Sequence, residues 1–522
     1  MSNGPDKNGQ DKDGSGLSRI SKRRFLRGLG ATGLASIGLG IVPADAAERS
    51  VKPYDVIIVG AGTAGIPAAI FAAQRGARVL LIEAASAVGG TLFMSSAQMA
   101  GAGTKLQKSL GIEDSPQAFY DDVMRIGGGM ADPEILRLFV ENSAVTLDWL
   151  SDNGLVPMPD HPVLGGGHEP YLTRRYLWAK DGGLSVLAVL EPLLQKEIAS
   201  GKVTLLLDTS VTDLIQNATD GAIKGVVATG TDGKAVKYLG HNVVLTSGGY
   251  GSNSEIFKAV EGIERYADMV YPYSQGAGVK LAIAAGGTTC GAECRQPLFN
   301  AVMVDNAVPS TMLLRIVSDK RRPAWEIYVN SRGERFFQED TPSYDAKEKA
   351  LKKQPKERCW IVFDDAILDA APQLSHAMKT EELKAAFGKY PTLYKADSLE
   401  ELAAATGVDK AGLLANVADY NKGQKSGQDS FGRTNMPLPI VKAPFYAIQL
   451  QGYYYVDSGG VKIDKSLRVV GKGGKAIPNL YAAGEILGYG QLQGAGYSGG
   501  MAVTPAITFG RLLGQSILKI ST

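Results

Sequence analysis

Apolar residues early in the chain fall in short unbroken runs, with little alternation. Asp55–Val59 is such a run and predicts a buried parallel strand. A small-residue stretch follows, opened by Gly60-x-Gly62-x-x-Gly65 and stopped at Gly76, which predicts a helix. Arg78–Leu81 begins a second strand with Glu83 at its end. Asp132–Gly154 carries Leu136, Phe139, Val140, Val145, Leu147 and Leu150 at helical spacing, and Gly182-Gly183-Leu184 opens another helix. Strands are predicted at Val203–Leu207, Val211–Leu214, Gly225–Thr229 and Asn242–Thr246. From 262 to 440 the periodicity becomes irregular, and Lys/Glu-rich helices are expected at Asp345–Lys356, Glu381–Phe387 and Leu399–Thr406. The last section returns to the first style, with a strand and tight turn at Leu480–Glu485 and a helix over Ala502–Ser516. The expected fold is α/β: a discontinuous Rossmann-like domain over 47–261 and 441–522, with an α+β domain inserted over 262–440.

The Tyr54–Glu83 unit carries the first chemistry. Gly60 makes the turn after the strand, Gly62 lets backbone approach a pyrophosphate, and Gly65 lets helix and strand pack closely. The helix N-terminus faces the phosphates, and Glu83 can accept hydrogen bonds from a ribose. A bare GxGxxG is a weak signal; strand, glycines, helix, strand and terminal acid in that order specify a dinucleotide site. A second glycine-led helix follows Gly494-Ala-Gly-Tyr497-Ser-Gly499-Gly500-Met501, offering backbone N–H groups to an anionic centre.

Composition narrows the rest. The chain has 522 residues, 44% apolar and 21% charged, which suits two or more globular domains. A net charge of +2, without a basic stripe among aromatics, gives no footprint for nucleic acid. The four histidines, His161, His168, His241 and His376, show no metal-ligand spacing, and no GxSxG elbow is present. His168 itself reads as a turn residue. Cys290 and Cys294 read as buried thiols whose pairing the sequence leaves open, and without a CxxCH haem motif any electrons must leave through another molecule.

Residues 1–46 predict a disordered polar tail and then an export signal. Ser21-Lys-Arg-Arg-Phe-Leu-Arg27 precedes a glycine-rich apolar stretch, Gly28–Val42, and Ala44-Asp45-Ala46. That order resembles a twin-arginine signal with an A-x-A cleavage site, although Lys22 takes the first arginine's place. It implies a periplasmic or otherwise exported protein. The apolar stretch is too short and too rich in glycine for a membrane span.

An ordered series of motifs then carries a family resemblance from about Pro53 to Ile517: VIIVGAGTAG, VGGT, VVLTSGGYG, QGAGVKLA, IYVNSRGERFFQE, LYAAGE and YSGGMAV. The chain resembles the soluble FAD-binding branch of the fumarate reductase/succinate dehydrogenase flavoprotein superfamily. The resemblance implies FAD in place of NAD, a cap (clamp) domain, and a substrate held between cap and flavin. It places Gly60, Gly62, Ala64, Gly65, Glu83, Gly90, Thr91, Ser96, Ala97, Val211, Ser247, Gly248, Gly484, Glu485, Gly500, Ala502 and Val503 on the cofactor. It assigns no metal.

Departures from that family are more telling than the matches. Fumarate reductases grip a dicarboxylate with His and Arg side chains; here Tyr271 precedes the cap-entry proline, Tyr455 lies in the run before Gly459-Gly460, and Tyr497 replaces the arginine before the flavin-facing glycines. Tyrosine removes the positive charge and leaves one hydroxyl donor, which suits a ketone on an apolar body. The pattern is similar to 3-ketosteroid Δ1-dehydrogenases. By that resemblance Tyr497, with the Met501 amide as second donor, polarises the ketone. Tyr344, one residue beyond the family spacing, removes the α proton.

The expected activity is therefore dehydrogenation of a cyclic or steroid-like ketone, with a quinone, cytochrome or other carrier as electron partner. One rival is reduction of an unsaturated acid or enone, which Arg322, Arg174 or Arg175 gripping a carboxylate would favour. Another is a flavin electron carrier without substrate chemistry, which a sealed cap would favour.

Overall fold

A computed structural model describes residues 47–48, 52–166, 168–318 and 322–520. The export-signal expectation for residues 1–46 lies outside them.

Strand β1 (Tyr54–Val59) sits at the centre of a nine-stranded sheet. Its residues Val56, Ile57 and Ile58 are fully buried, as expected for a strand covered on both faces. Helix α1 (Gly65–Gln74) crosses over to β2 (Val79–Ile82), parallel to β1 with Val56 opposite Val79. Helices α2 (Pro133–Asp152) and α3 (Gly183–Ala199) follow. Asp132 caps α2 through Oδ1, which accepts from the amides of Glu134 and Ile135. Strand β3 (Val203–Leu206) extends the sheet beside β2, and β4 (Ser210–Gln216), β5 (Ile223–Thr229) and β6 (Ala235–Leu245) form an antiparallel run. Strand β6 then pairs in parallel with β1, Val243 opposite Ile57.

The chain leaves this body later than the sequence pattern suggests. Val279, Leu281 and Ala282 of the helix Ala277–Ala284 are still buried in the first core, and Thr289–Cys290 pairs with Gly460–Val461. The second body begins at β7 (Leu298–Met303) and continues through β8 (Met312–Arg315), β9 (Ile327–Val329), helix α4 (Tyr344–Lys352), β10 (Arg358–Asp364) and β11 (Leu393–Ala396). Its central strand is β12 (Phe445–Tyr453), all nine residues buried. One edge of β12 pairs with β10 over its length; the other pairs with β11 and then β7. The expected return to the first domain at 441 is therefore corrected to follow Tyr453, because β12 is the strand on which the second sheet is built. The expected start at 262 likewise moves to about Leu298.

Both crossings between the bodies are tied together. Arg295, just before β7, donates Nη1 to the hydroxyl of Tyr454, just after β12, at 2.6 Å, and also pairs with Glu357. The Tyr454 hydroxyl in turn donates to Glu357 Oε2 at 2.6 Å.

Back in the first sheet, β13 (Arg468–Val470) and β14 (Ala476–Ala482) add at the β6 edge, with Leu480 opposite Val243. Helix α5 (Val503–Leu512) packs on α1 and α2; five π-helical residues, Leu513–Ile517, continue it.

Candidate active site

The loop after β1 is shaped by contacts that exclude side chains. Gly60 has φ +105, and a Cβ there would lie 2.5 Å from the Thr246 carbonyl oxygen on β6's far end. A Cβ on Gly65 would lie 1.9 Å from the Gly60 carbonyl oxygen, so α1 packs on the turn with no room for a methyl. Gly62 differs: a Cβ there would meet only Gly90 Cα, at 4.0 Å. Gly62 and Gly90 thus line a cleft between two glycine loops, open to a group that needs close backbone approach. Helix α1 starts without a side-chain cap; Ile66 donates to the Gly62 carbonyl at 3.1 Å and Pro67 has no N–H, so what the turn offers an anion is the helix's positive end and the open face at Gly62. Glu83 sits beside this loop, Oε2 accepting from the Ala61 amide at 2.7 Å and Oε1 from Ala85 at 2.8 Å. Burial raises its pKa, while those two amides pull it back.

Several other candidate cofactor residues are joined in pairs by short contacts. Gly484, φ +87, faces Ala64, and Gly248 faces Glu485 Oε2. Val211 is the second residue of β4, next to the chain that leaves Glu83: the Glu83 carbonyl accepts from the Thr209 amide at 2.9 Å. Thr91, Ser96 and Ala97 follow Gly90, and Ala97 donates its amide to Ser95 Oγ. Gly500 packs on Met99–Ala100, and Ala502 and Val503 begin α5. Ser247 Oγ is buried without a hydrogen-bond partner, and Glu485, half-buried, has its pKa pushed up to about 7, desolvation outweighing the Gly249 amide. A buried hydroxyl and a half-buried acid of this kind await hydroxyl groups from a ligand. These residues fit FAD: glycines for the pyrophosphate, Glu83 for the ribose, Glu485 and Ser247 for the polyol and ring edge.

Aromatic side chains converge around His168 and Tyr497. Tyr497 stacks on His168, ring centroids 4.9 Å apart and planes 26° off parallel. The ring of Tyr344, at the first position of α4, lies 6.2 Å from His168. Tyr489 lies 5.9 Å from Tyr497. Tyr455 contributes to the charge environment of Tyr497 and meets Tyr453 edge-on at 5.1 Å. Burial foremost, then Glu348, Tyr455 and Glu485, push the Tyr497 pKa up. Its phenol therefore stays protonated and remains a donor. The Met501 amide is 3.4 Å from the Ser498 carbonyl oxygen, a long turn contact.

Tyr271 is not brought to this group. Burial raises its pKa first, and Glu83 and Tyr273 add to the rise. Its ring neighbour is Tyr273, centroids 5.6 Å apart, and its carbonyl accepts from Ser252 Oγ at 2.8 Å.

Two of the three candidate arginines are committed internally. Arg175 is wholly buried, its guanidinium bonded to Asp114 at 2.7 Å and Asp122 at 2.7 Å. Arg322 pairs with Glu326 at 2.8 Å and donates Nε to the Pro372 carbonyl inside the second core. Burial alone would raise the Glu326 pKa, yet Arg322 takes it below the ordinary range.

Sequence reasoning missed two groups. Arg315 on β8 donates Nη2 to the Tyr453 hydroxyl at 2.7 Å, and its guanidinium lies 5.5 Å from the Tyr455 ring centre. His168 sits between Asp345 and Glu348 of α4, Nδ1 at 3.8 and 3.6 Å from their carboxylate oxygens. The available signal was Asp345-x-x-Glu348, an i, i+3 acidic pair on a helix that begins with the candidate Tyr344.

Comparison with known proteins agrees with this geometry. The FAD binding domain family matches residues 55–503. A probable fumarate reductase of Shewanella frigidimarina is 30% identical over 468 residues, covering 89% of this chain and 74% of that protein. The NADH:fumarate oxidoreductase of Klebsiella pneumoniae is also 30% identical over 475 residues, 90% of this chain, but the match spans only 48% of that longer protein. Among solved structures, the 3-ketosteroid-Δ4-(5α)-dehydrogenase of Rhodococcus jostii RHA1, in complex with 4-androstene-3,17-dione, aligns with TM-score 0.62 and 25% identity. That alignment covers 90% of this chain and 97% of that one.

Proposed function

The chain belongs to the FAD binding domain family, and we propose that it is an FAD-dependent oxidoreductase acting on a carbon–carbon bond next to a carbonyl, with a cyclic or steroid-like ketone as substrate. One observation carries the substrate class. The side chains that converge on His168 are phenols, while Arg175 and Arg322 are held by internal carboxylates. Phenol donors suit a ketone oxygen, and with Arg175 and Arg322 engaged elsewhere two carboxylates find fewer cations to bind them.

When bound, FAD supplies the acceptor for a hydride from the β carbon. Tyr497 donates its hydroxyl proton in a hydrogen bond to the ketone oxygen, where negative charge grows as the α proton leaves. Tyr344 takes that proton. Tyr455 closes the apolar side and keeps water from the developing enolate. The Gly60–Gly65 turn would hold the cofactor's phosphates and Glu485 its polyol.

A second reading, reduction of an enone or unsaturated acid, is favoured by Arg315, a cation packed on Tyr455, and by the fumarate reductases among the relatives. Anaerobic mixing of the flavin-loaded protein with saturated ketones should bleach the flavin. Bleaching by none of them, with reoxidation of reduced flavin by unsaturated acids, would replace the first reading by the second. No response to either panel leaves the electron-carrier reading.

The chain is further proposed to be exported, from Ser21–Arg27 and Ala44-Asp45-Ala46, and to pass electrons to a separate quinone or cytochrome. Among the described residues no helix is long and apolar enough to cross a membrane. Trapping of precursor inside the cell on Lys22→Ala with Arg23→Ala tests the signal; unchanged export would refute it.

A further inference from the structure

We propose that His168, held between Asp345 and Glu348, is the proton reservoir that loads and unloads the phenols of Tyr344 and Tyr497. The proposal rests on the roles given to those tyrosines above and names the group that must stand behind them. A phenol that takes the α proton has to pass its own proton on before the next turnover. A phenol that binds the ketone oxygen must be kept protonated.

The geometry supplies the partner. The His168 ring is within 4.9 Å of one phenol ring and 6.2 Å of the other, centroid to centroid. Its Nδ1 lies 3.6 Å from Glu348 Oε2 and 3.8 Å from Asp345 Oδ2. Asp345 is fixed from outside, Oδ2 accepting from the Glu169 amide at 2.9 Å. Three atoms at this point are buried without a hydrogen-bond partner: His168 Nδ1, Asp345 Oδ1 and Glu348 Oε2. Of these, Nδ1 and Glu348 Oε2 face each other at 3.6 Å, longer than a hydrogen bond, so a proton on either would be shared across a short gap.

The charges agree. Burial alone would lower the His168 pKa, but Glu348 and Asp345 outweigh it and the net shift is upward. Burial pushes Glu348 up to about 8, with Asp345 adding to the rise, while His168 and Lys349 act against it. On α4 the other charged neighbours are Lys349 and Lys347, the latter 5.9 Å from the Tyr344 ring. From the facing elements Tyr455 and Glu485 reach Tyr497, and Tyr497 in turn raises Tyr176 and Tyr489.

The proton path balances in either direction. In dehydrogenation the α C–H bond breaks, its proton bonds to Tyr344 Oη, and the tyrosine's own proton passes to the His168–Glu348 group. The C–H electron pair becomes the new carbon–carbon double bond as hydride leaves the β carbon to FAD. In reduction the same protons run back. Below pH about 8 the reservoir is loaded and favours proton donation; above it Glu348 is an acceptor.

The test uses the full flavin-loaded chain with Glu348→Gln and His168→Gln. Wash-in of solvent deuterium at the α carbon of a ketone, followed by NMR, reads proton transfer alone. Native protein should show a limb rising through pH about 8. Glu348→Gln should lack that limb, and His168→Gln should slow wash-in on the order of 10²-fold, with partial rescue by added imidazole. Nitrogen-15 NMR of the four imidazoles supplies a readout free of turnover: the His168 titration should move in Glu348→Gln. If both variants keep the native pH profile while Tyr497→Phe is impaired, the reservoir is wrong and the tyrosine reading stands. If no ketone exchanges at all, the tyrosine reading is wrong, and an imidazole titration insensitive to Glu348→Gln then also removes the reservoir. Loss of the limb on adding EDTA to native protein would overturn the proposal in favour of a bound cation.

Discussion

Gly62 and Gly90 face each other so that a methyl on Gly62 would meet nothing except Gly90 Cα, at 4.0 Å. Gly65, three residues on, has the Gly60 carbonyl oxygen 1.9 Å from where its Cβ would be. The two glycines of one motif therefore serve different ends, one ligand approach and the other packing. Gly62→Ala should leave the apoprotein's unfolding free energy within about 1 kcal/mol of native and lower its flavin content. Gly65→Ala should fail to give stable protein. Flavin absorbance per chain and denaturant melts of the apoprotein check both. Equal damage to apoprotein stability from the two changes would contradict this division.

Arg175 should prove a stabilising residue with no part in substrate binding. Arg175→Met leaves Asp114 and Asp122 buried without their cation, a loss of about 3–5 kcal/mol. Urea unfolding should show it. A stable variant with a raised KM for an unsaturated acid would instead point to a carboxylate grip.

Stability should depend on pH through Glu348. Its folded pKa is raised from 4.5 to about 8, so the folded state holds a proton that the unfolded state releases. The resulting stability is present below pH about 4.5 and is lost as the pH rises through about 8. Glu348→Gln should gain on native over that window, by on the order of a few kcal/mol. Parallel stability curves for the two proteins would show that Glu348 is ionised throughout.

The dinucleotide unit was legible in the sequence because its parts are close neighbours. Gly65 packs on Gly60, and Glu83 bonds the amides of Ala61 and Ala85, all within about thirty residues, so spacing exposes them; the Thr246 carbonyl that Gly60 must avoid comes from far along the chain. The edges of the inserted domain were not legible. Phe445–Tyr453 looks like any apolar strand, and its membership of the second sheet is settled only by β10, β11 and β7 pairing with it. His168 does lie in a bend, as its loop reads, but the carboxylates beside it were not legible because they come from α4, far along the chain.

The tie between the domain crossings should govern how the two bodies move. Tyr454→Phe removes the hydroxyl that Arg295 and Glu357 share, leaving that ion pair in place. Global stability should fall by about 1 kcal/mol, and hydrogen exchange should quicken at the two crossings before it does elsewhere. Unchanged exchange there would contradict the tie.

Tyr497 is the residue on which the functional reading turns. Its phenol is kept protonated by burial and by the acids near it, and it stands immediately before the Ser498-Gly499-Gly500 turn. The most direct measurement is anaerobic stopped-flow reduction of the flavin by a ketone substrate in Tyr497→Phe. The ring and its stacking on His168 remain, so flavin content and melting should match native. The reduction rate should fall by roughly 10²–10³, as for loss of one oxyanion donor, with a modest change in binding. An undiminished rate would contradict the account and return the site to a carboxylate-binding role around Arg315.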